Sequence, residues 1–218
     1  MKKNIVLIVL FVLPLVAYLF FASGVNSFAK LPTLTKNVSE VNSESTFENK
    51  QVKLKGKISI ISFTGSNVWH KRGNFFNLYE KIYKKNEEFK DFQIVVVVPK
   101  GQEEDVDRLT TNLKKLGTIS GWSFVFLDDN QIKEFYASLK LQNKLDETLG
   151  SNEVYIVDKK LNLRGRKGKS VKGDVEYREG YNTQMVSELH NEMTDDVKII
   201  LAEYRLALKK NHNASRQI

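Results

Sequence analysis

The run Ile94-Val95-Val96-Val97-Val98 narrows what this chain can become more than any other segment. Five β-branched residues in a row, closed by Pro99 and Gly101, leave a strand no polar side. Both of its faces must be covered, and strands of that kind belong to parallel sheets inside α/β folds. Ile58 to Phe63 (ISIISF) and Trp122 to Leu127 (WSFVFL) have the same character. Each of the three is followed by helical spacing. Phe75, Leu78, Tyr79, Ile82 and Tyr83 mark one helix, with Asn74 placed to cap it. Val106, Leu109, Leu113 and Leu116 mark a second, over 103–116 and stopped by Gly117. Ile132, Phe135, Tyr136 and Leu139 mark a third, over 131–141.

Val154–Val157 and Leu161–Arg164, separated by Asp158-Lys159-Lys160, predict an antiparallel hairpin. A basic, glycine-containing loop follows over 164–180. Helical spacing resumes at Thr183 with Val186, Leu189, Met193, Val197, Ile200 and Leu201, and Thr194-Asp195-Asp196 is placed to cap a second helix. The pattern is βαβαβα, then a hairpin and a helical region, which is an α/β three-layer sandwich around a mixed sheet. Right-handed crossovers put the turn after the first strand, Thr64 to Gly73, at the carboxyl edge where such folds carry their ligands.

Ahead of this domain, Ile5 to Ala22 contains no charged residue and Lys2-Lys3 precedes it. At 1.5 Å per residue the run gives roughly 27 Å of helix, close to the thickness of a bilayer core and longer than most cleavable signal cores. A signal anchor is the reading preferred, and small residues at Ala22-Ser23-Gly24 and Ser27-Phe28-Ala29 keep a cleaved signal peptide open. The lysines orient the rest of the chain out of the cytoplasm, on the periplasmic side of a single-pass membrane protein. The expected divisions are an anchor or signal peptide over 1–24, a polar linker over 25–50, the sandwich over 51–182, a helical region over 183–210 and a disordered tail over 211–218. The formal charge of +8 mostly serves solubility, and an external location argues against nucleic acid.

The chain has no cysteine. That excludes disulfides, thiolate metal sites, thiol nucleophiles and dithiol redox cycling. It matters because Val52-x-Leu54-Lys55-Gly56-Lys57, the strand ending in Phe63-Thr64, and Val154-Tyr155-Ile156-Val157-Asp158 followed by Leu161 together resemble the thioredoxin-like proteins over residues 47–166. Within them the resemblance is to the membrane-anchored Sco/SenC branch. It implies a thioredoxin-like sandwich behind one membrane helix, copper delivery to cytochrome c oxidase and a thiol-disulfide activity. Those functions use two cysteines after Phe-Thr and a later histidine. Carrying the motif across places Ser66 at the first cysteine, His70 at or near the second, and Gly150 or a neighbour at the third ligand. The family's chemistry does not transfer, and no proline follows Pro99 to supply the thioredoxin-type cis-proline.

The remaining polar candidates are modest. His70 lies beside Ser66, Trp69, Lys71 and Arg72, and one imidazole among cations is a poor metal site. Met185, His190 and Met193 offer soft donors, with His190 and Met193 at a spacing that shares a helix face, but methionines in an apolar stripe usually pack. Arg164-Gly165-Arg166-Lys167-Gly168-Lys169, with Lys172, is the densest charge cluster, and no phosphate-cradling glycine spacing accompanies it. The expectation is a membrane-tethered, non-enzymatic, thioredoxin-like protein with no cofactor, metal or catalytic residue. It binds an extracytoplasmic or membrane protein through Trp69, Arg72, Phe75 or Phe76 and through the basic loop at Arg164, Arg166, Lys167 and Lys169. Respiratory oxidase assembly enters only through the resemblance. Two alternatives are a metal-handling protein that uses His70 with Ser66 and a remote donor, and a lipid-surface binder acting through 164–172.

Overall fold

The computed structural model describes residues 10–16, 18, 30–41, 45–47, 51–170 and 173–214. The three expected strands form the centre of one sheet. Numbering from the first strand, β3 (Ile58–Thr64), β4 (Phe92–Pro99) and β5 (Trp122–Leu127) run parallel and adjacent, in register from Ile58↔Phe92 and Ile94↔Trp122. On the other side of β3 lies β6 (Gly150–Val157), antiparallel to it with Ile60 opposite Ile156. Next comes β7 (Leu163–Arg164), which closes the predicted hairpin through Val157↔Leu163, and outside it β1 (Thr33–Thr35). The short β2 (Ser45–Thr46) ends the opposite edge against β5.

The alternation of side chains along these strands separates two cores. Ile58, Ile60, Ile94, Val96, Val98, Phe124 and Ile156 point to one face. There they meet α1 (Arg72–Leu78), the π-helical turn Tyr79–Tyr83 that continues it, α2 (Glu103–Lys114) and the C-terminal helices. Ile61, Phe63, Val95, Val97, Val125, Tyr155 and Val157 point to the other face, against Ile132, Phe135 and Leu139 of α3 (Asp129–Leu139). The result is the expected three-layer sandwich. α3 begins at Asp129, two residues before the expected start at Gln131, because Asp128 and Gln131 form a reciprocal capping box, with bonds of 2.9 and 3.0 Å. α1 begins at Arg72 with Lys71 at the cap position, so Asn74 is not its cap.

Three expectations need correction. Residues 31–41, expected as linker, are built into the domain: Leu31 belongs to the first core, Val38 and Val41 to the second. The Glu40 carboxylate accepts from the amides of Leu54 (2.7 Å) and Lys55 (2.8 Å). Only Thr33–Thr35 form a strand, and the apolar residues around it enter two different cores, so they show no period. The stretch read as a loop over 164–180 is a β-ribbon, β8 (Arg166–Lys169) and β9 (Val175–Arg178), followed by β10 (Tyr181–Asn182) on β6. The helical region is α4 (Val186–Glu188), a π-helical turn (Leu189–Met193) and α5 (Thr194–Ala214), packed into the first core through Leu189, Met193, Val197 and Ile200. α5 opens at Thr194, where the cap was expected, and runs into the segment expected to be disordered; residues 215–218 lie outside the described residues. Much of the anchor expected over 1–24 also lies outside them. Residues 10–16 are helical, and among the described residues no helix is long and apolar enough to cross a membrane.

Arg164 joins the edges. Its side chain is 5% exposed. It donates to Asp158 Oδ2 at 2.8 Å, to Glu203 of α5 at 2.7 Å and to the carbonyl of Leu31 at 2.9 Å. Burial opposes the charge on Asp158, but hydrogen bonds from Asn162 and Arg164 outweigh it and hold the carboxyl below the usual range. Replacing Arg164 by Met strands that carboxylate, and urea denaturation should show a loss of about 3–5 kcal/mol. Because the folded pKa is depressed, the stability from Asp158 is fully present above the unfolded value near 4 and is lost as pH falls through the folded value. Thermal midpoints measured from pH 7 to pH 2 should therefore drop on the acid limb, and Asp158→Asn should flatten that drop.

Candidate functional site

The carboxyl edge of β3 is shaped by backbone approach. Thr64 is buried, and its hydroxyl donates to the Gly65 carbonyl at 2.8 Å. Gly65 has φ +64°, and a Cβ there would lie 2.8 Å from the Thr148 carbonyl, so only glycine lets the turn pass this close. The Ser66 amide donates to that same carbonyl at 3.2 Å. Ser66 and Asn67 are exposed, Val68 is fully buried and pins the turn to the first core, and His70 is exposed.

Across from this turn, the loop before β6 is organised by Asp146. Its Oδ1 accepts from the Thr148 amide (2.9 Å), the Thr148 hydroxyl (2.6 Å) and the Gly150 amide (2.8 Å). Its Oδ2 faces Lys71 Nζ at 3.4 Å. Burial alone would raise the Asp146 carboxyl, but the bonds from Thr148 and Gly150 and the Lys71 charge hold it below the usual carboxylate range. The Lys71 side chain is mostly covered, and its ammonium sits where any Cβ at Gly150 would go. Gly150, the position expected for a third ligand, thus faces a lysine.

These residues do not fit a copper ion. The edge has no thiol, the group closest to Gly150 is an ammonium already beside a carboxylate, and among the described residues no three of His, Asp and Glu gather at metal-binding distance. The Met185, His190 and Met193 set separates as well. Met193 is buried in the core, whereas His190 and Met185 are exposed. A π-helical turn spans Leu189–Met193, and in that wider turn residues three apart no longer overlie.

What the edge presents outward is an aromatic flanked by cations. Trp69 is half-buried, with the guanidinium of Arg108 3.7 Å and that of Arg72 4.9 Å from its ring centroid. Both lie within cation–π range. Arg72 also donates to the Trp69 carbonyl at 3.1 Å. Of the four contact residues expected here, Trp69 and Arg72 reach the surface and Phe76 is partly covered. Phe75 is 3% exposed and packs edge-on against Trp122, so it is core and not contact surface. Arg108 was missed because it comes from α2, whose solvent face shows no periodic signal. Lys71 and Asp146 were missed because their pairing spans 75 positions; Asp146-x-Thr148-x-Gly150 does read as a side-chain-capped turn.

The basic loop changes character in the same way. Arg164 is buried, and Arg166 pairs with Asp196 (2.8 Å) and Glu176 (3.1 Å), so neither arginine is a free contact. A guanidinium placed against a carboxylate fork is held by parallel bonds and gives up its solvent role. Lys167 and Lys169 remain exposed.

No family model and no curated protein matches the chain. Among solved structures it is similar to BsSco, a member of the Sco family of cytochrome c oxidase assembly proteins in which a disulfide switch was identified. The identity is 17%, the match covers 79% of this chain and 98% of that one, and the TM-score is 0.54. It is also similar to a Sco/SenC family lipoprotein from Bacillus anthracis, with 14% identity, 80% and 99% coverage and a TM-score of 0.54. The chain therefore has the thioredoxin-like fold seen in Sco/SenC proteins, and it has no cysteine to go with it.

Two substitutions separate the contributions at this edge. Asp146→Ala removes the acceptor of three donors and should cost about 2 kcal/mol in urea denaturation. Lys71→Met breaks a half-exposed ion pair and should cost less than about 1 kcal/mol.

Proposed function

We propose that this chain is a non-catalytic binding or assembly protein, tethered to a membrane on its extracytoplasmic side, that works through the outer surface of the edge where its structural relatives' fold would place chemistry. The observation that carries this reading is the Lys71–Asp146 pair against Gly150, which occupies that edge with a half-exposed ion pair, beside the half-exposed Trp69 between two arginines. A tryptophan with arginine neighbours is the composition that most often dominates the energy of a protein interface. The uncharged run Ile5–Ala22 behind Lys2-Lys3 supports the tether and its orientation. The likeness to BsSco, described as a cytochrome c oxidase assembly protein, supports respiratory oxidase assembly as the process in which the partner is sought.

Full-length protein captured from its native membrane, compared with Trp69→Ala/Arg72→Glu, tests the surface. Loss of an interface tryptophan and reversal of its neighbour should weaken partner recovery by about 30-fold or more. Equal recovery by both proteins removes this edge as the contact. Calorimetric titration of the full chain with copper(I), copper(II) and zinc should show no stoichiometric binding. A one-to-one site lost in His70→Ala would replace the binding reading with a metal-handling one.

A further inference from the structure

The β8–β9 ribbon has two unlike faces. In its antiparallel pairing Arg166 stands opposite Arg178 and Gly168 opposite Glu176, while Lys167 stands opposite Tyr177 and Lys169 opposite Val175. Opposed residues share a face. On the first face Arg166 is tied to Asp196, Glu176 and Glu192 (3.5 Å), and Arg178 to Glu188 (2.5 Å) and Glu192 (2.9 Å). Five ion pairs thus tie that face to itself and to the C-terminal helices. Among the described residues the second face carries none of them. Lys167 and Lys169 are exposed, Tyr177 is 44% exposed and Val175 is 88% exposed, more than any other large apolar residue described. Tyr177 keeps its hydroxyl on Glu179 at 3.1 Å. Asp174 lies in the tip turn, Glu176 turns to the first face with Arg166, and Lys172 lies outside the described residues.

We infer that the outward face of this ribbon, Lys167, Lys169, Val175 and Tyr177, docks on an anionic phospholipid surface. Charge complementarity selects that occupant. Each lysine near an anionic bilayer adds favourable free energy, whereas lysine is depleted from protein–protein contacts. A tyrosine and an unshielded valine on the same narrow face suit the headgroup boundary, where one end of an aromatic is wet and the other apolar. A cavity that the ribbon borders, beside Tyr177, is lined by Glu153, Glu179 and Glu188 and lies next to this lysine-bearing face. This inference rests on the tethered reading only for the nearness of the membrane.

Because the chain lacks cysteine, Val175→Cys gives a single labelling site on a residue that supports no packing. The full-length variant, carrying an environment-sensitive fluorophore, is mixed with vesicles of phosphatidylcholine alone or of phosphatidylcholine with phosphatidylglycerol. The expected result is a blue shift and access to a bilayer-embedded quencher only on the anionic vesicles, reversed by high salt. In a Lys167→Gln/Lys169→Gln background the fraction of shifted label should fall about 30-fold at limiting lipid. A label that stays in water on anionic vesicles overturns the inference, as does a shift that is equal on both lipids or unaffected by the lysine substitutions. Flotation in the same samples reads the tether separately. Chain that floats with neutral vesicles while its label stays in water on anionic ones overturns the docking alone. A salt-sensitive shift in chain that does not float with neutral vesicles upholds the docking and overturns the tether.

Discussion

Two-sided burial of the central strands is the constraint from which the rest of the molecule follows. β3, β4 and β5 carry apolar side chains in both directions, so the sheet has no solvated face and needs a layer on each side. The helices of the βαβ crossovers supply part of both layers. What they leave open is closed by the N-terminal segment on one face, through Val38 and Val41, and by α5 on the other, through Val197 and Ile200. The segments flanking the sandwich are therefore parts of its core. Arg164 is the polar counterpart of that closure, since its guanidinium holds Leu31, the β6–β7 turn and α5 at one buried point.

The carboxyl edge is shaped by backbone crossing and by one ion pair. The backbone makes a close crossing at Gly65 and Gly150 that brings two loops together. With no thiol to place there, the space is taken by an ammonium, and the carboxylate that partners it doubles as the organiser of the facing loop. An ion pair of this kind is a poor centre for electron or metal traffic, because the lysine has no lone pair to give while it is charged. The surface beside it is another matter: Trp69 and its two arginines combine apolar area with fixed charge, which suits recognition.

The ribbon applies the same physics to opposite ends. Arginines with carboxylates within reach become structure, and the lysines on the other face are exposed. Arg164 and Arg166 were indistinguishable from Lys167 and Lys169 along the chain, where all four read as one basic cluster. Arg164 is buried on β7 beside Asp158, whereas strand alternation within the ribbon puts Arg166 on the face opposite to Lys167 and Lys169, where Glu176 and Asp196 meet it.

From residue order alone the central strands, their helices and the antiparallel hairpin were legible, because burial on both faces and helical spacing are local patterns that survive without knowledge of neighbours. The absence of cysteine was equally plain and set the limit on chemistry. The cover made by residues 31–41, the ribbon over 166–178, the Lys71–Asp146 pair and the Arg108–Trp69 contact were decided by the tertiary structure. Each depends on groups distant in sequence whose meeting is fixed by sheet order and helix placement, and no periodicity along the chain records where another element will come to rest.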